Sequence, residues 1–465
     1  MEKTRLGFVP CHRYPYDEDW ATGMRQRCLK ALRGVGGVDV VTPSPALMHN
    51  GLVRDDAGAQ AAIDLFAQRG VQGLLLGAMS YGDALAACTV AQALNVPALL
   101  FGTREGLPPA EGAPRSDAYG GMLAIAAGLQ RRGIAYEFGG TFYPEDDAFA
   151  EAVDAFARGC AAVHALQGAH VGLLGATPER DEDAQPNPGA LLQRWRVRVA
   201  PMDLAAALAQ AQELAADDHR VVATVRSIMK EANCAACSDT ALASMARLEL
   251  TLQALCKDQD LAALAVSTAS DVQTRHGIAF GSALSRTASD GLLICGSADI
   301  FGALSMLVLR AAAHKDGEPA CVQLGMRHPD ERNVVLVRAT DGAPLSLAAD
   351  AGAVVLREQA ELAAQVGVEK AQGAYEFALK PGAVTLCRLA ETGGQFKMWI
   401  AGGEVVSGEE GFRGVWGWVR LKDLERGYRT LAERGMPPRA SLIYSDVADG
   451  LQSMCRFANI EAVRL

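Results

Sequence analysis

The chain of 465 residues has no G-x-G-x-x-G after its first strand-like segment and no G-x-x-x-x-G-K-[ST]. The usual glycine-rich cradles for dinucleotides and triphosphates are therefore missing. H-E-x-x-H and G-x-S-x-G are absent too, which removes the zincin and serine-hydrolase signatures. Histidine is scarce: there are eight, the last is His328, and nothing beyond it supplies an imidazole. No apolar stretch approaches the roughly 20 uninterrupted residues a bilayer demands. No basic run offsets the net charge of −10, which argues against nucleic acid or an anionic membrane as the partner.

What is present is an ordinary globular balance, half apolar and about a fifth charged. The length suits two or three domains. The opening "MEKTRLGFVP" runs from charge directly into a strand, unlike a secretory signal, and the expected location is cytoplasmic. Eleven cysteines, an odd number, lie mostly in apolar surroundings; buried thiols rather than a disulfide framework are expected. Cys234 and Cys237 form a C-x-x-C with no second pair. On a helix they would share one face, and burial explains them more simply than zinc.

Hydrophobic patterning divides the chain in three. In residues 1–165 the apolar runs "TRLGFVP", "VDVVTP", "VQGLLLG" and "VPALLFG" alternate with helix-spaced segments. That predicts a doubly wound, Rossmann-like parallel sheet with loops gathered at one edge. "AYEFGGTFYPEDD" (135–147) breaks the period, and a bridging helix follows to about Ala165. A second α/β domain, 166–316, starts at "AHVGLLG" and holds a long Ala-rich helical stretch from Leu204 to Lys257. From 317 to 465 the segments "ACVQLG", "NVVLVRA", "GAVTLCRL", "QFKMWIAGGEVV" and "GVWGWVRL" predict a β-rich, barrel-like or sandwich domain.

The order of these pieces resembles the L-fucose isomerase/L-arabinose isomerase superfamily. The resemblance covers "LGFVPCHRYPYDEDWA", "VPALLFGTRE", "RSDAYGG" and above all "GLLICGSADIFGALSMLVLR". The last is similar to the family's Cys-Glu-x-Asp-x-x-Gly-Ala-Leu-Thr-Met segment, with Asp299, Gly302, Ala303, Leu304 and Met306 setting the register. The resemblance implies aldose–ketose interconversion through an enediol, with a divalent ion, often Mn²⁺, bridging two sugar oxygens. Such equipment suits the chemistry, since a proton beside a carbonyl leaves slowly without a base and a stabiliser for the oxyanion.

Laid on this chain, the family's three ligand positions fall on other residues. The glutamate two places before the motif aspartate is Ser297. The second carboxylate falls among Gln323, Leu324 and Gly325, with Asp330 and Glu331 further on as turn residues. The C-terminal histidine falls on Pro438 and Arg439. An arginine cannot ligate a cation, having donors only. No metal ligand and no cofactor is therefore expected, with Mn²⁺ only in a rearranged site.

The catalytic candidates are Asp299 and His276. A carboxylate ahead of "IFGALSM" also suits a helix N-cap, and a single loop histidine also suits simple solvation. The substrate-binding candidates are His12, Arg13, Thr103, Arg104, Gln273, Ser297, Arg338 and Arg439; the family resemblance implies a substrate-contacting arginine at Arg13. Ion pairing of Arg13 with Asp17 or Glu18 is the alternative there. Ser80, Tyr81 and Asp83 belong to the same rim. An arginine-lined cleft would favour an anionic sugar acid or phosphate. The expected protein is an isomerase acting on a small sugar, polyol or sugar acid, a homo-oligomer with clefts between subunits. The alternatives are a non-catalytic carbohydrate-binding paralogue and a metal-independent lyase.

Overall fold

The computed structural model describes residues 3–105, 115–339, 341–408 and 411–465. The chain packs as two compact units, Met1–His164 with Asp449–Asn459, and Ala165–Ala448 with Ile460–Leu465.

In the first unit β1 (Thr4–Cys11), α1 (Glu18–Leu32), β2 (Val38–Val41), α2 (Asp56–Arg69), β3 (Gly73–Ala78), α3 (Ala84–Leu94), β4 (Ala98–Thr103), α4 (Ala118–Arg131), β5 (Glu137–Phe142) and α5 (Asp147–Leu166) follow in order. Their boundaries come from local chemistry. Asp17, Asp55 and Asp83 each accept a backbone N–H of the first helical turn, and Gly70 and Asn95 end α2 and α3 in left-handed conformations. The sheet is parallel, in the order β2-β1-β3-β4-β5. Alternate strand residues feed two cores: Leu74, Leu76 and Leu100 pack with Phe66 and Ile125, while Phe8, Leu75 and Phe101 pack with Met24, Phe149 and Phe156.

The fifth strand is a departure from expectation. "EFGGTF" has two glycines and half-exposed positions, so it lacks the continuous apolar run of an interior strand. It pairs only with β4, at the sheet edge, with a register shift at Leu100/Phe101.

The second unit begins with β6 (His170–Leu174), α6 (Pro188–Trp195), β7 (Arg198–Met202), α7 (Leu204–Glu213), α8 (His219–Glu231), α9 (Asp239–Asp258), β8 (Ala263–Val266), α10 (Ser270–His276), α11 (Gly281–Ser289), β9 (Ile294–Cys295) and α12 (Ile300–Ala312). Its parallel sheet runs β7-β6-β8-β9. The expected long helix over 204–257 is three helices, because Asp218 and Ser238 cap new starts. Cys234 and Cys237 consequently lie in the α8–α9 turn, closed by the Cys237 N–H to the Cys234 carbonyl at 2.9 Å, and not on a helix face. All eleven cysteines are free and nine are buried.

The β-rich part follows as β10 (Ala320–Arg327), β11 (Val334–Ala339), β12 (Val355–Glu358), α13 (Ala360–Val366), β13 (Gln372–Ala378), β14 (Gly382–Thr392), β15 (Gln395–Val406), β16 (Val415–Leu421), α14 (Leu424–Arg434), β17 (Arg439–Ile443), α15 (Ala448–Ala458) and β18 (Glu461–Arg464). The sheet order is β12-β13-β16-β11-β10-β17-β14-β15-β18, and β15 also pairs with β16, so the pairing path returns on itself through six strands. α12 packs against β8 of the parallel sheet and β14 and β17 of this one. Its seat is tied by Ser305, whose hydroxyl accepts from the Leu389 N–H at 2.9 Å, and by the Ser441 hydroxyl donating to the Gly302 carbonyl at 3.1 Å. Among the described residues no helix is long and apolar enough to cross a membrane.

Candidate functional site

The segment between β9 and α12 is Gly296-Ser297-Ala298-Asp299. Ser297 and Ala298 are both left-handed, at φ of 59° and 49°, although neither is glycine. Each costs on the order of 1 kcal/mol or more and persists only where surrounding bonds over-determine it. Three do so here. The Ser297 N–H donates to Thr268 Oγ1 at 3.1 Å, the Ala298 N–H to the Val266 carbonyl at 2.9 Å, and Thr177 Oγ1 to the Ala298 carbonyl at 2.9 Å.

Asp299 is committed to structure. Its Oδ1 accepts from the Gly302 N–H at 2.9 Å, the N-cap bond of α12, and its Oδ2 is paired with the guanidinium of Arg388. Arg388 is fully buried. Arg439 joins the same cluster, 3.0 Å from Asp181, 3.5 Å from Asp183 and 3.9 Å from Asp299. Arg439 is thus spoken for by carboxylates rather than presented to an anionic ligand. An arginine inside the apolar run "AVTLCRLA" was the available sign of Arg388, because a charge there needs a buried partner.

Ser297 and Arg338 do meet, in a pocket of about 270 Å³ that also contains Gln323. Gln323 stands directly opposite Arg338 on β11 and directly opposite Arg439 on β17, so these three side chains share one face of the sheet. The remaining wall is acidic and aromatic: Asp341, Glu358, Glu361, Tyr375 and Glu376, with Arg413 among them. Arg413 is bonded to Glu376 and, at 3.0 Å, to Glu358. Arg338 is 3.7 Å from Glu361, and both side chains are more than half exposed. A pair so exposed and long holds its members loosely.

Asp341 is the unusual group. It follows β11 and leaves part of its surface open to the pocket, while protein encloses it elsewhere. Burial lifts its carboxyl to about 7, with the charge of Glu361 adding to the effect and a hydrogen bond from Thr268 opposing it. Nothing local marks this residue: "TDGAP" reads as a turn, and its environment comes from segments distant in sequence.

The other expected residues lie elsewhere. Gln273 is buried and fully used: its Nε2 donates to the Thr268 carbonyl at 2.8 Å and its Oε1 accepts from the Phe280 N–H at 2.8 Å. His276 ends α10 edge-on to Phe280, with both ring nitrogens buried and unpartnered, and burial pushes its pKa down. It does not line the pocket that holds Ser297.

Four candidates belong to the first unit, at the carboxyl ends of its strands. His12 is buried, its Nδ1 2.9 Å from the Ser80 hydroxyl, and burial lowers its pKa. The Arg13 N–H also donates to Ser80, at 3.2 Å, and the guanidinium lies 5.4 Å from the centre of the Tyr81 ring. Asp17 and Glu18 are engaged instead by Arg115, and by His49 and Arg54. Thr103 donates to the Ala78 carbonyl at 3.3 Å, and Arg104 lies over Tyr143. Thr103 and Arg104 border a second, open hollow with Tyr119 and Thr141.

The two parallel α/β sheets and the β-rich sheet, with a pocket at the β9–α12 turn, are consistent with a fucose isomerase-like fold. The chain is similar to members of the fucose isomerase-like superfamily. Residues 7–167 match the family described as Fucose/sulfoquinovose isomerase, N-terminal domain. A sulfoquinovose isomerase of Alkalicoccus urumqiensis is 26% identical over 69% of this chain and 70% of its own length. Sulfoquinovose isomerases of Priestia aryabhattai and Priestia megaterium are each 23% identical over 99% of both chains. Among solved structures, a periplasmic solute-binding protein of an ABC transporter from Actinobacillus succinogenes aligns at 12% identity over 68% of this chain and 93% of its own. The TM-score is 0.17, too low to bear on the fold.

Proposed function

We propose that the protein is a sugar isomerase of the aldose–ketose type, working through an enediol without a divalent ion, with Asp341 as the proton carrier. The observation that carries this is the Asp341 carboxyl, held near 7 in a pocket with Ser297, Gln323 and Arg338. A base with a pKa near the working pH is present in its charged form yet strong enough to take a proton beside a carbonyl. In that reading Asp341 removes the C2 proton of the aldose and returns it to C1, while the hydroxyl proton passes from O2 to O1. The loosely paired guanidinium of Arg338 and the amide of Gln323 donate to the oxygen on which charge develops.

The family's ion does not fit the residues that stand in its place. Ser297 and Gln323 offer neutral oxygens, and Arg439 offers donors already bonded to Asp181 and Asp183. Among the described residues no group of three or more His, Cys, Asp or Glu lies close enough to hold a metal. Of the pocket's two guanidinium groups Arg413 is already bonded to Glu358 and Glu376, and the loosely held Arg338 stands beside Glu361 in a wall rich in carboxylates. An uncharged sugar is therefore the preferred substrate. The expected cytoplasmic location and closed homo-oligomer go with this proposal.

The test is exchange of the C2 proton with deuterated water, followed by NMR for L-fucose, L-arabinose and sulfoquinovose with EDTA present. Exchange with a neutral sugar, abolished in D341N, is expected. No exchange with any of the three would leave a carbohydrate-binding paralogue as the better account.

A further inference from the structure

Two acids of the pocket wall are caged by two guanidinium groups. Glu358 ends β12 and Glu376 lies on β13, and both line the pocket although their side chains are only 12% and 16% exposed. Arg413, ahead of β16, bridges them. Its Nη2 donates to Glu358 Oε1 at 3.0 Å and to the Glu358 carbonyl at 3.1 Å, and its Nε donates to Glu376 Oε1. The Gly414 N–H reaches the same Glu376 oxygen at 3.4 Å. Arg357 closes the group, its Nη2 3.2 Å from Glu358 Oε1 and its Nη1 3.8 Å from Glu376 Oε2. Of these four residues only Arg357 does not line the pocket, so the face turned to a ligand is richer in acid than the group as a whole.

Among the described residues the wall carries four carboxyl groups, Asp341, Glu358, Glu361 and Glu376, against the two guanidinium groups of Arg338 and Arg413. The Nε and Nη2 of Arg413 already face acids, so an anionic ligand reaches this guanidinium only by displacing a bonded carboxylate. The displaced acid would lose its partner while still largely enclosed, which opposes the exchange. We propose that Glu358 and Glu376 are the specificity-determining residues of the pocket: by occupying Arg413 they reject anionic sugars and admit uncharged and cationic ones. This deepens the sugar-isomerase reading and rests on the pocket being the sugar site.

The experiment compares three sugars that differ only at C6: D-galactose, D-galacturonate and 6-amino-6-deoxy-D-galactose, which are neutral, anionic and cationic at neutral pH. Binding to the full-length wild type, E376Q and E358Q is read by calorimetry at low salt. Glutamine keeps the shape and an acceptor oxygen for Arg413, so each substitution removes one unit of charge and little else. Measured against galactose, each should tighten galacturonate by about five- to ten-fold and weaken the amino sugar by a similar factor, both effects shrinking in high salt. A loss of packing would move all three sugars together. Inorganic sulfate is the second probe. The E358Q/E376Q double variant should bind it about ten-fold tighter than the wild type, and R413Q in that background should abolish the gain. An unchanged ratio of galacturonate to galactose in folded E376Q and E358Q overturns the proposal, as does sulfate binding indifferent to the double substitution. A sulfate gain with none of the three sugars bound by any variant overturns the sugar-site reading and leaves the two acids as the anion filter of the pocket.

Discussion

The Asp341 side chain occupies the volume that any side chain on Gly296 would need, with Oδ2 2.8 Å from the place of that Cβ. Overpacking of this kind costs about 1–3 kcal/mol. Gly296 has no positive φ, so the effect of G296A is steric alone. G296A should lower the denaturant midpoint by that amount and reduce turnover more than a comparably destabilised surface variant.

Asp341 also ties stability to pH. Its folded pKa, about 7, lies above the unfolded value of roughly 3.9. The folded state therefore holds this proton more tightly. The resulting stabilisation is fully present below pH ~4 and is lost as pH rises through about 7, up to about 4 kcal/mol for the whole span. D341N should remove this part of the pH dependence. Urea unfolding of both proteins between pH 5 and 8 measures it, and parallel curves would contradict the raised pKa.

The Asp299–Arg388 pair is a buried ion pair joined to a helix cap. Removing one partner leaves a buried charge alone, at about 3–5 kcal/mol. D299A should lose that much in chemical denaturation. D299N, which keeps a cap oxygen, should lose less of the α12 start but the same ion pair. If D299N folds as stably as the parent yet loses turnover, Asp299 is a chemical group after all.

Metal dependence gives the fourth expectation. Purified protein should carry no stoichiometric manganese by elemental analysis, and EDTA or added Mn²⁺ should change exchange by less than about two-fold. A ten-fold loss in EDTA, restored by Mn²⁺, would point to an ion held by acids assigned here to the pocket wall.

Parts of this molecule are written locally. β1 and β3 are continuous apolar runs because both faces of a parallel sheet are covered, and Asp17, Asp55, Asp83 and Asp299 start helices because a carboxylate satisfies orphan N–H groups. Ser297 could be placed at the key turn from its motif alone. β5 escaped the same reasoning because edge strands need no apolar run, and the break between α8 and α9 was hidden by alanine-rich flanks that suit any helix.

The sequence by itself determined the succession of α/β and β-rich parts, the caps, and the place of Ser297 in the turn ahead of α12. Only the tertiary structure decided what surrounds them. Periodicity and capping act over a few residues, whereas the enclosure that raises Asp341, the hydroxyl of Thr268 and the space over Gly296 are set by loops from different strands. A titration follows from the atoms packed around a carboxyl, and those atoms are neighbours in space, not in sequence.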